Sequence, residues 1–210
     1  MNRPTSEQLI EKAQGVLQRE ADAVRACAGQ MDENLTGILS LLLYCKGHVL
    51  VAGAGTSRAV AQRFAHLLSC CGTPALPVNA ADALHGGSGA IGERDVVYII
   101  SKGGHSAEIN KLAEIARKRG AKIVAHTENP DSPLAQMSDA VYSVHAEGDV
   151  DPYGMIATGS SLVNCAACDV LCILLLELRG YSKEAFGATH PEGAVGRKLE
   201  AEAKNLENDR

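Results

Sequence analysis

Residues 48–57 read HVLVAGAGTS and residues 95–106 read DVVYIISKGGHS. In each, a short apolar run stops at glycines and hydroxyls, and a helical pattern follows at once. After the first run that pattern continues to about Cys71. After the second, over 107–119, Ile109, Leu112, Ile115 and Ala116 fall on one side and the i, i+4 pair Glu114 and Lys118 on the other. Three further runs, 75–78, 122–126 and 140–144, repeat the alternation. Near-continuous β-branched runs separated by helices indicate parallel strands covered on both faces. The expected fold is therefore α/β, a doubly wound five-stranded parallel sheet flanked by helices.

Working outward, residues 1–45 read as two helices. Thr5 with Gln8 three residues later forms a capping-box pattern that opens an amphipathic helix to about Met31, and a more apolar helix follows over 33–45. Residues 46–200 make the α/β domain, including a long helix over 160–179, a turn at Gly180-Tyr181, a loop at 189–193 and a short C-terminal helix. Residues 201–210 form a polar tail.

The 210 residues suit one substantial core. Lys plus Arg total 20 and Asp plus Glu total 25, so the net charge is −5, which argues against a nucleic-acid partner. Aromatic residues make up 3% and Trp is absent, so stacking platforms for bases or sugars are not expected. Seven cysteines are an odd number for a disulfide scaffold. Cys165, Cys168 and Cys172 share a helix face and read as small buried thiols rather than a metal site. No apolar leader precedes the first helix, and the longest apolar runs, 38–45 and 170–176, are shorter than a membrane span. The expectation is a cytoplasmic protein with no membrane partner.

Ligands of open parallel sheets bind beyond the carboxyl ends of the strands. There the loops Gly53-Ala54-Gly55-Thr56-Ser57 and Ser101-Lys102-Gly103-Gly104-His105-Ser106 each place glycines and hydroxyls at a helix start, where free amides and the positive helix end attract an anion. Two such loops, with Ser160 and Ser161 opening a third helix, point to a phosphate cup made of Gly55, Thr56, Ser57, Ser101, Gly103, Gly104 and Ser106. Dinucleotide binding fits less well, because Arg58 occupies the third glycine position and no acidic residue ends the second strand at Leu76-Pro77-Val78-Asn79.

From about Gly47 to Leu199 the chain resembles the SIS (sugar isomerase) domain family, and within it the arabinose 5-phosphate isomerases. The marks are GAGTS at 53–57, ADALHG at 81–86, SKGGHS at 101–106 and THPEGAVGRKL at 189–199. The last is the most specific, since His-Pro-x-Gly-Ala-x-Gly-Arg has no plain helix or strand explanation. The paired CBS domains that often follow this domain are expected to be missing. The resemblance implies a homodimer or homotetramer with sites near subunit contacts, and a small sugar phosphate as ligand. It implies that Ser57, Ser101 and Ser106 hold the phosphate, that His190 reaches the site from a neighbouring subunit, and that His85 is a second site histidine. Three positions depart from it. Thr56 stands where these isomerases carry a lysine, His105 where they carry a glutamate, and Gly103 replaces a serine.

Aldose–ketose isomerisation through an enediol needs a base to shuttle a proton and an acid for ring opening. Asp149 or Glu147 is the expected base and His190 the acid, with His105 able to replace the missing glutamate because imidazole titrates near neutrality. No cofactor is expected. Convergence of His85, His105 and His190 would be the one route to a zinc or similar divalent ion. The alternative function is a non-catalytic phosphosugar-binding or regulatory protein.

Overall fold

The computed structural model describes residues 3–148, 150–193, 196–199 and 201–202. Asp149 and residues 203–210 of the expected tail lie outside them. Five strands, β1 (Val49–Gly53), β2 (Ala75–Asn79), β3 (Val96–Ile100), β4 (Lys122–Thr127) and β5 (Ala140–Ser143), form one all-parallel sheet in the order β2-β1-β3-β4-β5. The expected α/β class and strand count hold.

Alternation along the strands explains the two covered faces. Val49, Val51, Val96, Tyr98, Ile100 and Val124 point to a layer built from α1 (Ser6–Cys27), α2 (Asn34–Leu43), α3 (Thr56–Cys70) and α7 (Thr158–Arg179). Leu50, Ala52, Val97, Ile99, Ile123 and Ala125 face α4 (Ala80–Ala83), α5 (Ala107–Lys118) and α6 (Pro133–Met137). Pro77, which has no amide hydrogen to donate, sits in the edge strand β2, where a missing bond costs least.

Helix ends differ modestly from the sequence reading. The Thr5–Gln8 capping box is present, but α1 gives way after Cys27 to a single 3-10 turn over Ala28–Gln30. The stretch that follows β2 is pinned by the short helix α4 and a 3-10 turn at Gly87–Ala90. Neither α6 nor α8 (Lys183–Ala188) was anticipated. Both are short helices set by a serine cap, Ser132 and Ser182, rather than by periodicity. By length and composition α7 is apolar enough to cross a bilayer, contrary to the reading of isolated apolar runs. Its stripe of Val163, Ala167, Cys168, Leu171, Cys172 and Leu175 is buried against the sheet layer.

One buried polar chain ties sheet to helix. Tyr98 Oη donates to His126 Nδ1 at 2.9 Å, and His126 Nε2 donates to Asn164 Oδ1 of α7 at 3.0 Å. Burial without a negative partner lowers the His126 pKa to about 4, so the ring is neutral and both nitrogens are satisfied. An imidazole whose folded pKa lies below its unfolded value of 6.5 supports folding fully above pH 6.5 and loses that support as the pH falls to 4. We expect unfolding free energy to drop by about 3 kcal/mol over that window on account of this group. Denaturant titrations at pH 7 and pH 4 will read it, with His126→Gln showing a correspondingly shallower acid loss. An equal loss in the variant would contradict the assignment.

Candidate anion site and its family

The sheet order reverses between β1 and β3: the chain leaves β1 for β2 on one side and returns to place β3 on the other. The crevice beyond the carboxyl ends of such a pair is where an open α/β sheet receives ligands. At Gly53 an added Cβ would lie 2.6 Å from the Ser57 carbonyl oxygen, so the strand end touches the first turn of α3 only because glycine has no side chain. At the neighbouring tip, Ser101 N–H donates to the His126 carbonyl at 2.9 Å and Gly104 N–H closes a turn onto the Ser101 carbonyl at 3.2 Å. Gly104 has φ +67° and packs directly on Ser132, leaving no room for a Cβ.

The helices that start here are unlike most others. Thr5, Ser132 and Ser182 cap α1, α6 and α8 through their own side chains. The residues preceding α3 and α5, Gly55 and Ser106, make no side-chain cap bond. Both helix starts adjoin a hollow of about 230 Å³ lined in part by Ser57, Ser101, Lys102, Gly103, His105 and Ser106, and neither has a side-chain partner for its first amides. That is below the roughly 300–1,000 Å³ of a pocket that encloses a whole drug-sized ligand. It accommodates one end of a molecule, and its open amides suit an anionic end.

Of the residues singled out in the sequence, Ser57, Ser101, Gly103, His105 and Ser106 line this hollow. Gly55, Thr56 and Gly104 are not among its lining residues: Gly55 and Thr56 stand at the start of α3 just before Ser57, and Gly104 packs on Ser132 behind the loop. His85 is exposed in the turn after α4, on the same edge of the sheet but outside the hollow. Glu147 is also exposed beyond β5, taking a bond from Gln30 Nε2 at 3.4 Å, with His145 Nε2 3.9 Å away. His190 is placed elsewhere. Its ring stacks on Phe186 with centroids 4.0 Å apart, and Nδ1 lies 2.9 Å from the Phe186 carbonyl. It follows α8, which departs from the far end of α7. That end is fastened to the amino edge of the sheet, where Arg179 donates to Thr73 Oγ1 at 2.8 Å and to the Leu42 carbonyl at 3.0 Å. A 22-residue helix, about 33 Å long, thus runs between the carboxyl edge and the point from which His190 is reached. A single chain does not join His190 to the hollow, and among the described residues no three His, Cys, Asp or Glu side chains gather as a metal site.

Two residues escaped the sequence reading. Glu128 and Asn129 directly follow β4, the strand beside β3. Glu128 N–H donates to the Lys102 carbonyl at 2.9 Å, and its carboxylate lies 3.9 Å from Lys102 Nζ. Burial raises its pKa, opposed by the charges of Lys102 and His145. That they directly follow an expected strand was the available signal; their adjacency to the loop at 101–106 shows only in the strand order.

Fold and site together define a parallel α/β domain with a small hollow, suited to an anionic group, at a strand-order reversal. The chain belongs to the SIS domain family, whose pattern matches residues 42–174. It is 35% identical over 199 residues to the arabinose 5-phosphate isomerase KdsD of Pseudomonas aeruginosa, covering 95% of this chain and 61% of that protein. It is 32% identical over 192 residues to the arabinose 5-phosphate isomerase KpsF of Escherichia coli, covering 91% of this chain and 59% of the relative. The chain thus spans about three fifths of the length of these relatives. Among solved structures, an Escherichia coli CFT073 protein in complex with arabinose 5-phosphate superposes with a TM-score of 0.86 at 27% identity, over 90% of this chain and all of that one.

The two adjacent glycines give a test of the floor. Gly104→Ala must accept a positive φ and push Ser132 off its capping position, so we expect a loss of about 2 kcal/mol or more in thermal or denaturant unfolding. Gly103→Ala, whose Cβ would meet only His105 Cδ2 at 3.8 Å, should stay within about 0.5 kcal/mol of the parent. Equal effects would contradict the packing described.

Proposed function

We propose that the protein is a phosphosugar aldose–ketose isomerase of the arabinose 5-phosphate isomerase kind, working through an enediol in the cytoplasm without a cofactor. The observation that carries this reading is the pair of uncapped helix starts facing one small hollow at the β1/β3 reversal. The relatives named above supply the reaction class. The seven free cysteines accord with a reducing compartment.

In this reading the amides and hydroxyls around Ser57, Ser101 and Ser106 hold the phosphate. The sugar's reacting carbons extend toward the loops after β2 and β5, which carry His85, Glu147 and Asp149. A carboxylate there moves the proton between adjacent carbons, and His190 serves ring opening and the carbonyl oxygen. Because α8, which His190 follows, leaves from the end of α7 fastened at the amino edge of the sheet, the reading calls for a homo-oligomer, a dimer or tetramer in which one chain's His190 meets another chain's cup. The first turns of α1, with exposed Leu9, Ile10, Val16 and Leu17, and the neighbouring exposed Tyr153, Met155 and Ile156 offer the apolar surface such an assembly would cover.

Incubation with pentose and hexose phosphates in heavy water tests the chemistry, since an enediol route exchanges the hydrogen beside the carbonyl. Binding without exchange across the panel would favour a phosphosugar-binding protein instead. His190→Ala should abolish turnover while leaving sugar-phosphate binding within a few fold. Mixing His190→Ala subunits with Ser57→Ala, Ser106→Ala subunits should recover part of the activity, as one site in the hybrid regains both halves. Absence of recovery in a verified mixed oligomer would contradict the shared site.

A further inference from the structure

His105 lines the hollow, and its Nε2 faces Asn129 Nδ2 at 3.4 Å. The orientation of that amide follows from its other bond: Asn129 Oδ1 accepts the Asp131 N–H at 3.1 Å, so the nitrogen is the end turned to the ring. The turn carrying Asn129 is itself anchored to the cup. Thr127 Oγ1 accepts the Asn129 N–H at 3.2 Å and donates to the Lys102 carbonyl at 2.9 Å, while Leu134 N–H bonds the Gly104 carbonyl at 3.3 Å. The segment after β4 therefore grips the 101–106 loop at Lys102 and Gly104, the stretch that leads into His105.

A donor facing Nε2 requires a lone pair there. The proton of a neutral imidazole must then sit on Nδ1, which has no hydrogen-bond partner among the described residues. Protonating Nε2 would set one N–H against another. We propose that Asn129 is a positioning residue that keeps the Nε2 lone pair of His105 turned to its amide, so that the ring offers its Nδ1–H to the bound phosphate. This rests on the phosphate reading of the cup. It assigns His105 to ligand binding and leaves the proton transfer to other groups, in place of the catalytic role expected from the sequence.

The test uses the full chain with 15N-labelled histidine, comparing the parent with Asn129→Asp and with inorganic phosphate as probe. Asn129→Asp keeps an oxygen to accept the Asp131 N–H and so preserves the turn, but it presents an acceptor to Nε2. The parent should show neutral His105 with its proton on Nδ1, and phosphate should shift that resonance. The variant should show the proton on Nε2 and bind phosphate at least about tenfold more weakly, the loss expected for one hydrogen bond to a charged group. The added carboxylate also repels phosphate directly, so the same substitution is made in a His105→Ala background, where it should weaken binding less than threefold. Asn129→Ala, as a second variant, should populate both tautomers. An Nε2–H parent, an unchanged tautomer in both variants, or full weakening without His105 would overturn the proposal. Failure of the phosphate reading has its own signature, the expected tautomer with no phosphate-induced change at Ser57 or Ser106. That result overturns the ligand half of the proposal together with the site.

Discussion

The amide groups at the start of α3 and α5 have no side-chain cap of their own, and the rest of the site depends on that arrangement. A helix end buried without a partner for its amides is costly, so an uncapped start is normally solvated or filled by a ligand. Here two such starts meet because β1 and β3 are neighbours in the sheet although they are not consecutive in sequence. The strand order sets the distance between the loops, and the glycines at 53 and 104 let strand end, helix turn and supporting loop approach closely. In the proposed function, hydroxyls from Ser57, Ser101 and Ser106, which line the hollow, complete the donor set without adding a fixed charge.

Much of this was legible in the sequence, for a physical reason. Parallel strands covered on both faces leave near-continuous apolar runs, and β1 and β3, VLVAG and VVYII, are buried along their whole length. The loops that follow announce themselves through glycine and serine, because close backbone approach restricts what those positions tolerate. Short helices such as α6 and α8 left little trace, since a single serine cap sets them. Glu128 and Asn129 were missed because their importance comes from the neighbouring strand: nothing in their own stretch indicates that β4 lies beside the 101–106 loop. Spacing along a chain reports local structure well and lateral neighbours poorly.

His190 shows the complementary case. The motif around it points to function, yet it follows α8, which leaves from the opposite end of α7 from the cup, and its ring stacks on Phe186. The proposed division of the site between subunits would reconcile the two facts, and it would cover the exposed apolar side chains of α1 and of residues 153–156. Behind the cup, the buried Tyr98–His126–Asn164 chain couples strand tips to α7. The His126 carbonyl also accepts the Ser101 amide, so the register of the sheet and the floor of the anion site are fixed by the same residue.

The most direct test is a crystal structure of the protein with a bound pentose phosphate. The account predicts the phosphorus within hydrogen-bonding reach of the α3 and α5 amides and of the Ser57, Ser101 and Ser106 hydroxyls, with the sugar pointing toward a histidine contributed by another subunit. A phosphate seated elsewhere, with those three serines left to solvent, would contradict it.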